Sequence, residues 1–444
     1  MEPETWRKGS DEGRRQDQLI VPDSSTTASS PDPIDPSLTK TASLASGPLE
    51  NPNDPSPHEP SPRPPGPLVG IRVVDLTTVV MGPMAVQILG DLGADVVKIE
   101  DSTGDLLRQL GGGPHRELSG MALNLLRNRR SAQLNLRDED DQRVLWSLLE
   151  QADVVVTNLR PMSLERAGIT YEAVAARNPR VVYCQAAGYD PQSPEANRPA
   201  YDDIIQAGAG VSDVLRRLNG EPGLFPTIMA DKVCALMISN GVMAALFHRE
   251  RCGVGQHVVL PMHDTVRWFL LAEHLSEAAT VPPYGPPGYS RMLTQQRRPH
   301  KTLDGWIAVL PYSNQNWLDL FRAADRPELA TDPMFMTVAA RVTNADSVYR
   351  ELGVMMRTRT TAEWMKILDD LNIPAGPVRT LEELIDELPI SEHPVVGAYR
   401  HIPNPLQFSA TPTSLHRYAP MLGEHSAEVR SEAAARATAA KKGT

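Results

Sequence analysis

Residues 70–108, GIRVVDLTTVVMGPMAVQILGDLGADVVKIEDSTGDLLR, constrain the fold more than any other part of the chain. Ile71 to Leu76 reads as a short buried strand with β-branched side chains at its centre. Gly82-Pro83 then stops the strand and allows a helix to begin. Met84, Val86, Ile88, Leu89 and Leu92 give that helix a broad apolar face, and it ends near Gly93. Val96 to Glu100 is a second buried strand, punctuated by Gly104-Asp105. Such a unit predicts two parallel strands joined by a right-handed crossover. Ligands of these sheets sit outside the carboxyl ends of the strands, which marks Thr77–Met81 and Asp101–Arg108 as the loops to inspect.

A dinucleotide site is the obvious first thought for this unit, and the glycines argue against it. The pyrophosphate-binding turn needs G-x-G-x-x-G directly after the first strand, and here that turn is Thr77-Thr78-Val79-Val80-Met81-Gly82. A nicotinamide oxidoreductase is therefore not expected.

The same alternation continues downstream. Arg127, Arg129 and Arg130 form a basic cluster ahead of a strand-like Ala132–Leu136, and Glu139–Gln151 reads as a helix with acidic residues in its first turn. Asp153–Thr157 and Arg180–Cys184 read as strands, Tyr171–Asn178 as a short helix, Asp231–Glu250 as a long helix, and Gln256–Leu260 as a returning strand. Strand and helix in alternation make the class α/β, a Rossmann-like large domain with a mostly parallel sheet over 68–280. Prolines 282, 283, 286 and 287 mark a linker. A smaller α+β domain is expected over 281–388, opening on a hairpin around Asp304-Gly305. Residues 389–430 read as a proline-punctuated return to the large domain, and 431–444 as a tail.

Residues 1–67 hold 14 of the chain's 40 prolines and only isolated apolar residues. Such a segment cannot bury enough surface to offset the entropy of ordering it, so it reads as a disordered arm. A net charge of −11 argues against a nucleic-acid or membrane-surface protein, so an anionic ligand would need local cations. Cys184, Cys234 and Cys252 form neither a metal spacing nor a disulfide framework, which fits a reducing cytoplasm. No membrane span or signal peptide is expected from the apolar runs.

Several residues stand out as candidates for chemistry. Arg108, Arg137, Arg160 and Arg166 fall near strand ends, where guanidinium forks suit phosphate, although each taken singly reads as surface arginine. Asp202 or Asp203 reads as a helix start. Asp231 stands at the head of the longest helix, where aspartate is a favoured N-cap; the same place would keep a nucleophilic carboxylate ionised. Arg297, Arg298 and His300 precede the hairpin and read as solvated edge charges.

Taken in succession, these segments resemble the class III CoA-transferases, the CaiB/BaiF and formyl-CoA transferase-like group. The matching stretches are GIRVVDLTTVVMGPMA, LGADVVKIE with GDLLR, NRRSAQLNL, ADVVVTNLRP, NPRVVY, RPAYDDIIQAGAG, TIMADKV, GVGQHVVLPMHD, IPAGPVRTLEEL and APMLGEH, in that order over roughly residues 69–430. The resemblance implies an interlocked homodimer of two-domain chains acting on an acyl-CoA donor and a carboxylic acid acceptor, with coenzyme A as co-substrate and no metal. It implies that Asp231 is the nucleophile, passing through an aspartyl anhydride and an aspartyl-CoA thioester. Positions matching the family's CoA cleft are Val80, Met81, Asp101, Leu134, Asn135, Leu136, Arg137, Asn158, Leu159, Arg160, Arg166, Tyr201 and Asp202; Arg108 is added on physical grounds for the phosphates.

This chain departs from the family pattern at Asp101, where many members carry a basic residue, and at Met162, where a glycine is common. The family's glycine-rich lid is represented only by Tyr284-Gly285-Pro286-Pro287-Gly288-Tyr289. One alternative is an α-methylacyl-CoA racemase, which needs a His-Asp pair where this chain has Tyr201-Asp202; no histidine lies between His115 and His248. A non-catalytic acyl-CoA-binding relative is the other, and the presence of Asp231 argues against it.

Overall fold

A computed structural model describes residues 66–442. The arm expected over 1–67 lies outside the described residues except for its last two. Six strands, β1 (Arg72–Leu76), β2 (Asp95–Glu100), β3 (Arg130–Gln133), β4 (Val154–Thr157), β5 (Val182–Ala187) and β6 (Gln256–Pro261), form one sheet in the order β3-β2-β1-β4-β5-β6. Every neighbouring pair is parallel. The direction of winding reverses between β1 and β4, so a crevice opens at their carboxyl ends, the usual ligand position in an open α/β sheet.

The central strands β1, β2, β4 and β5 are valine-rich and buried because both faces are covered, with Asp75 and Lys98 as buried charges among them. Val73, Val96, Val154, Val156 and Val182 point to one core, filled by the Met81–Asp91 and Met229–Cys252 helices. Their neighbours Val74, Val97, Val155, Val181 and Tyr183 point to the other, against Leu145, Leu148 and Leu149 of the Glu139–Leu149 helix. The period-two alternation of a strand divides the same sequence between two layers of helices. Met229–Cys252 is apolar and long enough by composition to cross a bilayer, which the sequence did not suggest, yet half of its most apolar window is packed inside the fold.

The basic cluster is structural. Arg127 pairs with Asp91, Arg129 with Asp75, and Arg130 with Asp95, Glu428 and Glu432. Because these cations are matched, β3 runs Arg130–Gln133 and not Ala132–Leu136. Leu134 and Leu136 follow the strand and join the core beneath it.

A second, antiparallel sheet contains β7 (His300–Lys301), β8 (Trp306–Val309) and β9 (Ala375–Pro377). The turn between β7 and β8 closes as Gly305 N–H donates to Thr302 Oγ1 at 2.9 Å. Helices Asn314–Ala323, Ala345–Met356 and Thr361–Asp370 pack on it around Trp317, Phe321, Leu352 and Trp364. His300 is buried here against the 345–356 helix, not solvated, and burial, Arg298 and Arg357 push its pKa down to about 4.

After the hairpin of β10 (Ile390–His393) and β11 (Gly397–Arg400), the chain runs back over the large sheet. Asn128 donates to Ser414 O and accepts from the N–H groups of His416 and Arg417, and Arg108 donates to Pro420 O. The expected tail is instead a helix, Ser426–Lys442, whose Val429 and Ala433 are buried and whose Glu428 and Glu432 hold Arg130.

Candidate active site

The crevice at the β1/β4 reversal contains a cleft of about 280 Å³. One wall is the turn after β1, and its backbone is held group by group. Lys98 Nζ donates to Thr77 O at 2.6 Å. The Asn158 amide accepts from Thr78 N–H at 2.9 Å and donates to Thr78 O at 2.8 Å. Asp105 Oδ1 accepts from Val79 N–H at 2.8 Å. Between these clamps Val79 adopts φ of 70°, a region that a β-branched residue enters only when its surroundings force it.

The clamps rest on a buried ionic cluster. Lys98 lies 2.9 Å from Asp105 and 3.8 Å from Asp75, all fully shielded. Burial works against the Lys98 charge, but Asp75, Asp105 and Glu100 outweigh it and its pKa is raised.

Asp231 also lines the cleft and is 7 % exposed. The helix that carries it begins at Met229, two residues earlier than the spacing predicts, so Asp231 lies inside the first turn and is not the N-cap. The capping acceptor comes from elsewhere: Asp202 Oδ1 accepts from Ala230 N–H at 2.7 Å and Asp231 N–H at 3.2 Å. The expectation that a helix head keeps Asp231 ionised is also overturned. Burial, and then the Asp202 charge, push its pKa from an ordinary 3.8 up to about 7.

The structure gathers only part of the expected site. Met81, Asn158, Leu159, Arg160 and Tyr201 line the cleft with Asp231. Asp202 is buried behind it, and both carboxylate oxygens are hydrogen-bonded within the protein. Asp101 and Asn135 line a separate depression at the carboxyl ends of β2 and β3, with Arg430 of the C-terminal helix.

Arg108 is corrected outright. Its guanidinium is buried, paired with both oxygens of Glu100, and not available to a phosphate. Glu100 is correspondingly acidic: burial opposes its charge, but Arg108, Lys98 and Ser131 bring its pKa down to about 2. Val80 and Leu134 are buried and Leu136 is half-buried, so their side chains are packing residues. Arg137 and Arg166 are exposed and line neither depression. The Tyr284–Tyr289 segment is fastened to the 262–274 helix through Gly288 N–H to His274 O and does not line the cleft.

Sequence reasoning missed Arg198 as a cleft residue, along with Ser163, Gly188 and Met262. The signal was present in the long irregular stretch that follows the carboxyl end of β5. Arg160 and Arg198 form no ion pair with any carboxylate among the described residues, in a chain with an excess of acid. No histidine lines the cleft; His263, next to it in sequence from Met262, directs its ring nitrogens to Asp264 and Gly208 O. Among the described residues no group of three or more His, Cys, Asp or Glu side chains is placed to hold a metal.

Comparison with known proteins identifies the family. The family model for CoA-transferase family III matches residues 68–426. A succinyl-CoA:mesaconate CoA-transferase of Haloarcula hispanica is 32% identical over 389 residues, covering 82% of this chain and 95% of that protein. A formyl-CoA:oxalate CoA-transferase of Escherichia coli is 29% identical over 400 residues, again covering 82% and 95%. Among solved structures, Rv3272 from M. tuberculosis superposes with a TM-score of 0.71 at 28% identity, covering 82% of this chain and 99% of that one. A CaiB/BaiF family protein from Brucella suis gives 0.70 at 27% identity, covering 83% and 100%. With a parallel α/β sheet, a carboxylate-bearing cleft at its switch point and these relatives, the chain belongs to CoA-transferase family III.

Proposed function

We propose that this enzyme moves CoA from an acyl-CoA donor to a carboxylic acid acceptor, with Asp231 as the covalent nucleophile. The observation that carries the reading is one buried carboxylate in the switch-point cleft, which it shares with a rigidly clamped turn and two arginines that have no ion pair among the described residues. Ionised Asp231 attacks the thioester carbonyl, forming an O–C bond as the C–S bond breaks and CoA leaves as thiolate. The thiolate attacks the aspartyl carbonyl of the resulting anhydride, expelling the donor acid and leaving an aspartyl-CoA thioester. The acceptor carboxylate displaces the thiolate from Asp231, giving a second anhydride. Attack of the thiolate on the acceptor carbonyl then releases the new thioester and the Asp231 carboxylate. Each step exchanges one acyl bond for another, so atoms and charge balance without an oxidant or reductant.

Arg160 and Arg198 supply the local cations that a chain of net charge −11 needs for anionic substrates. The bound CoA runs from the cleft along the carboxyl edge of the sheet towards the depression of Asp101 and Asn135. Succinyl-CoA with mesaconate, and formyl-CoA with oxalate, name small acids for the two relatives, and we place the substrates of this enzyme in that class. The racemase reading would need a second base beside the cleft, and no histidine lines it.

The working form is proposed to be a cytoplasmic homodimer. Leu236, Phe247, Trp268 and Phe269 are exposed on two neighbouring helices, an apolar area that a second copy would cover. An active monomer in light scattering would overturn that assembly.

The test of the nucleophile is chemical capture. Succinyl-CoA plus hydroxylamine should convert Asp231 to a hydroxamate, seen as a mass shift on one peptide. Asp231→Asn should keep CoA binding and lose transfer by a factor of about 10⁴ or more. Retained transfer in that variant would refute the assignment. Solvent deuterium entering the α-carbon of a 2-methylacyl-CoA would favour the racemase.

A further inference from the structure

The first N–H groups of a helix have no acceptor within the helix itself. At the head of Met229–Cys252 the N-cap residue is Ile228, whose side chain cannot accept, and no local side chain closes the turn. Asp202, on the Asp202–Gly208 helix, takes that place across space with Oδ1 on two successive N–H groups. Its other oxygen accepts from Gln206 Nε2 at 2.6 Å, four residues along the same helix.

Gln206 is fully buried, and its carbonyl oxygen accepts from Phe225 N–H at 2.8 Å. Two side chains one turn apart therefore hold both ends of the 225–231 segment that delivers Asp231 to the cleft. Three protein N–H groups therefore occupy the Asp202 carboxylate, two on Oδ1 and one on Oδ2. Its carboxylate points at main chain and Gln206, and the residue is 9 % exposed.

We infer that Asp202 is a positioning residue and not a substrate contact: locked by Gln206, it caps the helix that carries Asp231 and sets a fixed negative charge beside that carboxylate. A bare helix N-terminus favours a nearby anion. Here that favourable pole is already occupied by Asp202, so Asp231 meets a like charge where it would otherwise meet two unpartnered N–H groups.

The other groups around Asp231 are few. Cys234 stands on its own helix, with uncharged Thr265 against it from the Met262–His274 helix. Arg160, Arg198 and Tyr201 line the cleft, and neither arginine is within ion-pair distance of Asp231. Asp202 is the one charged neighbour that shifts it, in the same direction as burial. The catalytic consequence rests on Asp231 being the nucleophile; the capping geometry does not. A carboxylate that is hard to ionise is a stronger nucleophile once ionised, at the cost of a smaller ionised fraction below neutrality.

Isotope-edited infrared titration of protein labelled with ¹³C-aspartate, with Asp231→Asn to assign the band, reads the Asp231 carboxyl without any turnover. Asp202→Asn keeps an acceptor oxygen for the cap and removes the charge, at the cost of the Gln206 Nε2 hydrogen bond, which the new NH2 group cannot accept. It should lower the Asp231 midpoint by about one pH unit or more. The acidic limb of kcat for CoA transfer should move to lower pH with it. Gln206→Leu keeps the charge and frees the segment. It should cut kcat about a hundredfold with little change in KM for the acyl-CoA, as expected for a misplaced reacting group.

An unmoved midpoint in Asp202→Asn would overturn the inference. So would a raised KM at unchanged kcat, which marks a lost substrate contact. A shifted midpoint in a protein with no transfer activity would leave the positioning role standing and refute the transferase reading instead.

Discussion

Two groups of buried charge support the walls of the cleft, one beneath the turn after β1 and one at the head of the Asp231 helix, and they are built on opposite rules. Under the β1 turn, Asp75, Lys98, Asp105 and Arg129 alternate in sign, and their side chains are buried against one another. At the head of the Asp231 helix, two carboxylates sit together and among the described residues no cation is paired with either. The first arrangement fixes every charge, because removing any member strands another in a dry interior. The second leaves one proton loosely decided near neutral pH, which is how an acid is held ready for chemistry. One side of the cleft is therefore a scaffold and the other a reagent.

The largest effect should come from breaking the scaffold. Lys98→Met strands Asp105 and releases Thr77 O, while Asp75 keeps Arg129, and should cost about 3–5 kcal/mol of stability in chemical denaturation. A change under 1 kcal/mol would mean that water or rearrangement supports the turn instead.

The reagent side should behave in the opposite way. The Asp231 pKa is raised from 3.8 to about 7, so its carboxyl favours the folded state fully below pH 3.8. That contribution falls away as pH rises and is gone above about 7. Asp231→Asn lacks this loss, and should exceed the parent enzyme in stability by about 4 kcal/mol at pH 8, with the difference vanishing near pH 4. Equal stability of the two proteins across that range would contradict the picture of a carboxylate held back by burial and then by the Asp202 charge.

The smallest effect sharpens the comparison. Val79→Gly relieves the φ of 70° while adding chain entropy to the unfolded state, so stability should move by less than about 1 kcal/mol. Transfer should nonetheless fall, because the turn facing Asp231 is no longer held in one conformation. Unchanged kcat would make the strain incidental.

How much of this was legible follows from the range of the interactions. β1, β2, β4 and β5 could be read because burial on both faces leaves continuous apolar runs, and strands of four to six residues leave little room for error. β3 was misplaced because Arg130 looks like a loop residue until Asp95, Glu428 and Glu432 are brought to it, the last two from some 300 residues away. The C-terminal helix was missed for the same reason, since its alanines and charges look like a tail without Arg130 and Asp141 to receive them.

At the site, Asp231 and the strand-end loops were legible, the former mainly through family resemblance. Its environment was not. A cap supplied from 29 residues upstream has no signature in local spacing: Asp202 reads as the start of its own helix, and only the family resemblance put it near the ligand. Arg108 failed likewise: proximity to a strand end says nothing about whether Glu100 already occupies the fork.

The return of the chain's end over the large sheet has a bearing on synthesis. Asn128 holds Ser414, His416 and Arg417, and Arg130 is completed only by Glu428 and Glu432. Domains ordinarily fold as units while the ribosome is still at work. Here the lobe that bears the cleft is begun at residue 72 and finished by residues beyond 410. A nascent chain would carry β3 with one edge exposed and Arg130 matched only by Asp95 through most of its translation, so the half-made lobe should depend on chaperones, and activity should appear only when the last helix has been released.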